Sequence, residues 1–317
     1  MTQPTTNTRL SFSQNNPMLQ IAWDSTSVST FKACPRKYYY SIVCGYTSKD
    51  ESVDLTFGIA YHSAQEAFHR ARAIGATFDQ ALRIALRTAA DATWDRARMR
   101  PWGSNSPYKN RETLFRSIVW YFDKYKDDTL ETVILANGKA AVELSWRIEL
   151  GRKAATGEDM LLCGHFDRLV KFASGTWIAD YKTTKFNVFE PSFFERYSPD
   201  NQFSTYTYAG QLVYNVPIKG VICDAVQVLT EESRFQRAPI TRTAQQLLEW
   251  RSDLDYWIAT AEACAVNGFW PQNDTACGLY GGCPFRQVCG KTPGVREDWL
   301  KVSYNQRVWD PLKTREV

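Results

Sequence analysis

Long hydrophobic runs are missing from these 317 residues. No stretch of about 18 apolar residues occurs, the length a helix needs to cross a bilayer, so no membrane span is expected. The opening MTQPTTNTRLSFSQNN lacks the apolar core of a secretory signal. It reads as a disordered tail over 1–18, and the expected setting is cytoplasmic. Charge of one sign is also scarce. Lys and Arg number 38 against 34 Asp and Glu, a net +4, which tolerates a nucleic-acid partner without announcing one. Histidine is scarcer still, with three in the chain, so any imidazole chemistry must come from His62, His69 or His165. No internal repeat and no low-complexity segment appears, and paired C-x2-C knuckles of the zinc-ribbon kind are absent.

What is present is an ordinary globular composition, 44% hydrophobic and 23% charged. Helical spacing of apolar residues marks 27–42, 57–73, 77–99 and 111–127. The face of the second is expected to comprise Ile59, Ala60, Ala64, Ala67 and Phe68. The period then shortens. AAVELSWRIEL (140–150), MLLCGHFDRLVKF (160–172) and TWIADYKT (176–183) read as an antiparallel meander separated by turn residues. A helix near 200–215, a strand at 218–229, a charged hairpin and a helix near 242–266 follow. This order predicts an α/β fold on a mixed sheet flanked by helices. One domain over 19–300 is expected, with a helical insertion at 74–138, a cysteine-bearing loop at 267–292 and a tail at 301–317.

Asp180 and Lys182, in WIADYKTTK, lie two apart at the end of a strand and so share one face. Asp167, in GHFDRL on the preceding strand, can reach the same sheet edge if the two are hairpin neighbours. Two carboxylates beside a lysine suit phosphodiester hydrolysis: the acids hold a hard divalent ion, and the amine stabilises developing charge. Asp-x-Lys alone is also a common solvated surface pair.

GHFDRL followed by DYKTTK resembles motifs II and III of the PD-(D/E)XK nuclease superfamily. The wider pattern resembles its RecB-type exonuclease branch, which includes iron–sulfur exonucleases of CRISPR-associated and AddB type. Three further matches support it: Gly58-x3-His62, Gln202-x3-Tyr206, and Cys34 far upstream of Cys277, Cys283 and Cys289. The resemblance spans about 27–290. It implies a restriction-endonuclease-like fold and a Mg²⁺- or Mn²⁺-dependent exonuclease acting on DNA that is single-stranded or has free ends, in recombination, repair or processing. His62, Asp167, Asp180 and the carbonyl of Tyr181 would hold the metal, Lys182 would assist the attack, and Gln202 and Tyr206 would support substrate. An imidazole ligand favours Mn²⁺ over Mg²⁺. The alternative is a noncatalytic DNA-binding module of a recombination complex. A helicase or recombinase partner and self-association also belong to what the resemblance implies.

The four thiolates suit either Zn²⁺ or an iron–sulfur cluster. The C-x5-C-x5-C trio departs from the C-x2-C often seen in the family, but the missing paired knuckles and the long separation between Cys34 and Cys277 favour [4Fe–4S], which would tie the N-terminal helix to the C-terminal loop. Arg36, Lys37 and Arg286 flank these ligands. Cys44, Cys163, Cys223 and Cys264 read as core side chains. His69 and His165 match no motif. Glu66 shares a helix face with His62, to serve a second metal or merely solvate the helix. Glu143, in the first strand, occupies a place where the family that the chain resembles often has an acid; it reads as a surface strand position.

Overall fold

The computed structural model describes residues 9–49, 52–214 and 217–314. The described residues gather into two compact units, one within 9–49, 146–164 and 243–314, the other within 52–145, 165–214 and 217–242. The expected single domain over 19–300 is thus divided, because the chain builds two separate cores. In the second unit Phe57, Tyr61 and Phe68 pack with Ala81, Ala85, Ile118, Tyr181, Val226 and Phe235. In the first, Tyr38 stacks on Trp23 with ring centroids 5.6 Å apart, and Phe31 and Trp270 close around it.

The second unit begins with the helix Val53–Ala73, whose N-terminus is capped by Ser52 accepting from the Leu55 amide. Its buried face is Phe57, Ala60, Tyr61, Ala64, Phe68 and Ala71, the three-and-four spacing of a helix against a core. Ile59 falls off that face and is exposed. The next helix, Phe78–Ala92, opens with a Thr77/Gln80 capping box and buries Ala81, Ala85 and Ala89, small residues four apart that let it approach its neighbour closely. Helix was expected to run to 99. It stops at Ala92, and Trp94–Asp95 pairs with Arg100–Pro101 instead. The run DRARMR has no apolar stripe to bury, and helical propensity alone does not hold an exposed segment. Arg111–Lys124 completes this layer.

The helices cover a mixed sheet. Gly175–Thr184 lies antiparallel to Asp159–Phe172 and parallel to Ile218–Val228, which is antiparallel to Ser233–Ile240. Glu131–Thr132 adds a short antiparallel edge beside Lys171 and Val170. The parallel pair needs a crossover, and the helix Asn201–Val213 lies on it. The predicted α/β class and mixed sheet flanked by helices are observed.

In the first unit Ala22–Trp23 runs parallel to Leu161 and Leu162. Helix was expected over 27–42, with Pro35 tolerated near its first turn or at a local break. It breaks into Ser25–Ala33 and Pro35–Tyr38, with a wide turn over Tyr39–Val43. Cys34 between them is extended (φ −164°, ψ 113°), as the residue before a proline prefers to be. The expected tails are largely ordered. Phe12 is buried beneath Arg9, whose guanidinium donates to the carbonyls of Ile42 and Val43. Residues 1–8 of the predicted 1–18 tail lie outside the described residues. Tyr304–Gln306 pairs antiparallel with Tyr46–Ser48, so the predicted tail at 301–317 also carries a strand, and 315–317 lie outside the described residues. Apolar anchors within polar stretches account for both corrections. Among the described residues no helix is long and apolar enough to cross a membrane.

Candidate metal and catalytic site

The antiparallel register pairs Arg168 with Ala179, and one step further along it sets Asp167 beside Asp180. Their proximity is fixed by the backbone: the Tyr181 amide donates to Asp167 Oδ2 at 3.0 Å. The helix Val53–Ala73 supplies the third group. His62 lies next to the buried Tyr61 and presents both ring nitrogens to the strands, Nδ1 at 3.2 Å from Asp167 Oδ2 and Nε2 at 2.9 Å from the Tyr181 carbonyl oxygen.

Glu143 joins them. Its carboxylate, the Asp167 carboxylate and a His62 nitrogen all lie within 4.8 Å of one another, and Glu143 is buried, not the surface residue expected. Its backbone adopts φ +52°, a left-handed conformation that costs a non-glycine residue about 1–2 kcal/mol. That turn interrupts the strand's alternation where the carboxylate meets the group. Neighbouring Ala141, Val142 and Leu144 are all buried, so the sequence signals were an acid inside an apolar run and its place in the first strand, where the family often has an acid.

One imidazole nitrogen and two buried carboxylates form a donor set that fits a divalent cation, with the Tyr181 carbonyl as a further oxygen. Without the cation the imidazolium balances the acids. Burial works against a charged His62, yet the Asp167 carboxylate overrides it and lifts the pKa to about 9. Burial likewise raises Asp167, and the His62 charge and hydrogen bond more than reverse this, holding it below the usual range. His62 therefore contributes stability that is complete below its ordinary 6.5 and is lost as pH rises through about 9. Urea midpoints of metal-free protein are expected to fall across that window, and a flat profile would contradict the pairing.

Asp180 stands slightly apart from the tight group. Its Oδ2 is 2.5 Å from Lys182 Nζ. Burial first, and then the Asp167 charge, push its pKa up to about 6, against the pull of Lys182. Lys182 resists burial through the Asp180 charge and stays above the usual lysine range. Gln202 ties the pair together: its Oε1 accepts from Lys182 Nζ at 2.8 Å, and its Nε2 donates to Asp180 Oδ1 at 3.4 Å and to the Tyr206 hydroxyl at 3.0 Å. Tyr206 is buried edge-on against Phe166, with ring centroids 5.3 Å apart. The structure thus gathers His62, Asp167, Tyr181 O and the unforeseen Glu143 in one group, and Asp180, Lys182, Gln202 and Tyr206 in the adjoining one.

Glu66 pairs with Arg70 at 2.9 Å on the helix surface, and His165 Nδ1 meets Ser145 Oγ at 2.9 Å. His69 bonds the fully buried Arg168. The helical block, which showed no chemistry in sequence, sends Lys109 to the Thr183 carbonyl and hydroxyl at 3.3 Å, just beyond Lys182. A Glu143→Gln variant keeps the shape of the side chain and removes its negative charge from the donor group. It should lose most of the thermal stabilisation that Mn²⁺ confers. Equal Mn²⁺ stabilisation in both would remove Glu143 from the ligand set.

Within the first unit Cys34 is buried, and Cys277, Cys283 and Cys289 are half-buried. Burial, then the negative charge of neighbouring thiolates, Cys34 among them, raises the Cys283 and Cys289 thiols against Lys37 and Arg36. The Asn273 amide donates to Cys34 Sγ at 3.3 Å, the Cys283 amide donates to the Cys277 carbonyl at 3.0 Å, and Cys283 and Cys289 pack on the core of Phe285 and Val288. Arg36 is engaged by the Trp270 carbonyl at 2.9 Å, and Arg286 is exposed.

The profile described as the PD-(D/E)XK nuclease superfamily matches residues 23–290. No curated protein matches the chain in sequence. Among solved structures, the "Putative exonuclease" of Eubacterium rectale is similar in fold, with a TM-score of 0.50 and 11% identity, covering 94% of this chain and 98% of that one. SSO0001 gives a TM-score of 0.35 at 9% identity over 86% of this chain and 87% of its own.

Proposed function

The chain belongs to the PD-(D/E)XK nuclease superfamily, and on that premise we propose that it is a Mg²⁺- or Mn²⁺-dependent deoxyribonuclease that degrades DNA from its ends. The observation carrying this reading is the His62–Glu143–Asp167 donor group beside the Asp180–Lys182 pair. The bound cation would neutralise the scissile phosphate and supply an activated water. His62, Glu143, Asp167 and the Tyr181 carbonyl hold it, with Asp180 able to turn to it once Lys182 engages the phosphate. Lys182, kept cationic by Asp180 and aimed by Gln202, stabilises the charge that develops on the phosphate oxygens and orients the attacking water. Tyr206 fixes Gln202. Hydrolysis would proceed through the activated water, without a covalent intermediate.

Action at ends follows the resemblance to RecB-type exonucleases and agrees with the name of the Eubacterium rectale protein. Recombination or repair, with a helicase or recombinase partner in the cytoplasm, is the setting this implies, and self-association is compatible with it. End-labelled single-stranded DNA incubated with Mn²⁺ tests the reading. Short labelled products that vanish with EDTA are expected, while intact DNA, or internal fragments only, would refute it.

We read Cys34, Cys277, Cys283 and Cys289 as [4Fe–4S] ligands. The cluster would tie the short N-terminal helices to the C-terminal segment of the same unit. Protein purified without oxygen should be brown, absorbing near ~400 nm as thiolate-bound iron does, and Cys277→Ser should bleach it. A colourless zinc-loaded sample would overturn the assignment.

A further inference from the structure

Directly after the strand that carries Asp180 and Lys182, the loop Lys185–Glu190 exposes two phenyl rings. Phe186 is 55% and Phe189 56% exposed, while Val188 between them is buried against Phe193 and Ala225. Single exposed apolar side chains are ordinary, but this loop is held in shape while presenting two of them. The Phe186 amide donates to Thr184 Oγ1 at 3.0 Å, the Phe189 amide to Asn187 Oδ1 at 3.1 Å, and Gln227 Nε2 to the Lys185 carbonyl at 3.4 Å.

Cations frame the rings. Lys185 and Arg196, both exposed, lie 5.9 and 5.3 Å from the Phe186 centroid, and the acid of the loop, Glu190, is engaged by Asn187 at 3.2 Å. A continuous run of rings leads back to the catalytic pair. Arg196 lies 4.6 Å from the Phe193 centroid, Phe193 contacts Tyr197, Tyr197 stacks on Phe203 at 4.8 Å, and Lys182 Nζ is 5.5 Å from the Phe203 centroid.

We propose that Phe186 and Phe189, flanked by Lys185 and Arg196, are a stacking platform that holds unpaired bases of the DNA strand being cut. Exposed aromatic faces with adjacent cations match single-stranded DNA, in which base faces are open and each lies next to a phosphate. In a duplex those faces are covered by neighbouring base pairs, so the platform selects single-stranded or frayed ends. This rests on the nuclease reading and adds its strand preference.

The test is anisotropy of a short labelled oligodeoxythymidylate in a Lys182→Ala background, so that the probe is not cut. Phe186→Ala and Phe189→Ala should each weaken binding about 5- to 150-fold, and Phe189→Trp should restore it. An abasic strand of the same length should bind weakly and respond to neither change. In the parent background both alanine variants should hydrolyse bis(p-nitrophenyl) phosphate at the parent rate, because that small ester reaches the metal site without spanning to the loop. Unchanged oligonucleotide affinity, or an equal loss on the abasic strand, overturns the platform. So does a variant that loses only self-association in sedimentation. Parent protein that hydrolyses no phosphodiester while still binding single strands through these rings would sink the nuclease reading and leave the platform standing.

Discussion

Asp180→Asn and Lys182→Ala are each expected to reduce Mn²⁺-dependent DNA hydrolysis by about a thousandfold or more, with the fold retained. Removing one preorganised charge stabiliser typically costs 10²- to 10³-fold (roughly) in turnover, and these residues act as a unit. Asp180 is almost fully buried and holds Lys182 Nζ at 2.5 Å. Asparagine keeps its shape and hydrogen-bonding capacity but removes the charge that keeps the ammonium aimed. Alanine at 182 removes the ammonium itself. Folding should survive both changes. In Asp180→Asn, Lys182 is 23% exposed and keeps its bond to Gln202, so water can take up part of the missing interaction; in Lys182→Ala, the Asp180 carboxyl, already pushed up to about 6 by burial, can take up a proton. Gln202→Ala should fall between these variants and the parent. Turnover in oligonucleotide hydrolysis, read beside circular dichroism, checks all three. Parental turnover in Asp180→Asn would mean that the pair is structural.

Arg237→Ala should instead act on stability, lowering it by about 3–5 kcal/mol, the usual cost of stripping one partner from a buried ion pair. Arg237 Nε reaches Asp224 Oδ2 and its NH1 reaches Asp128 Oδ1, each at 2.7 Å, while NH2 donates to the Tyr121 hydroxyl at 2.6 Å. Its guanidinium also lies 3.6 Å from the Tyr125 centroid. Asp224 is 1% exposed and accepts from Tyr121 as well. Burial raises its pKa, and Arg237 is the first influence holding it down, so without the arginine a buried carboxyl must protonate or remain uncompensated. Asp224 pairs across the sheet with Tyr181, the neighbour of Asp180 and Lys182, so activity should fall at temperatures where the variant begins to melt and stay near parental below them. Urea denaturation measures the loss. A change under about 1 kcal/mol, the worth of an exposed pair, would show that the network is solvated.

How far the sequence could be read depended on whether function was written in spacing or in backbone conformation. Asp167, Asp180 and Lys182 were legible because a strand's two-residue period and a hairpin register fix where their side chains go. His62 and Gln202 were legible through motifs at helical intervals. Glu143 was not. Its burial goes with one left-handed residue, which nothing in AAVELSW specifies, so the surface reading failed although the family often has an acid there. The stop at Ala92 was missed because Arg and Met are good helix formers, and only the lack of a partner face ends the helix there. Division into two units was hidden as well. The strands Val142–Lys153 and Asp159–Phe172 pass from one unit to the other, and hydropathy along a continuous strand does not mark such a passage. Phe186 and Phe189 lie in no motif, and only solvent exposure sets them apart.

Anomalous diffraction at the manganese edge from crystals soaked in Mn²⁺ tests the central claim most directly. The account predicts a peak bound by the His62 imidazole and the carboxylates of Glu143 and Asp167, with the Tyr181 carbonyl in reach and Lys182 alongside. A peak elsewhere, with His62 still bridging Asp167 and Tyr181 as it does without metal, would contradict it.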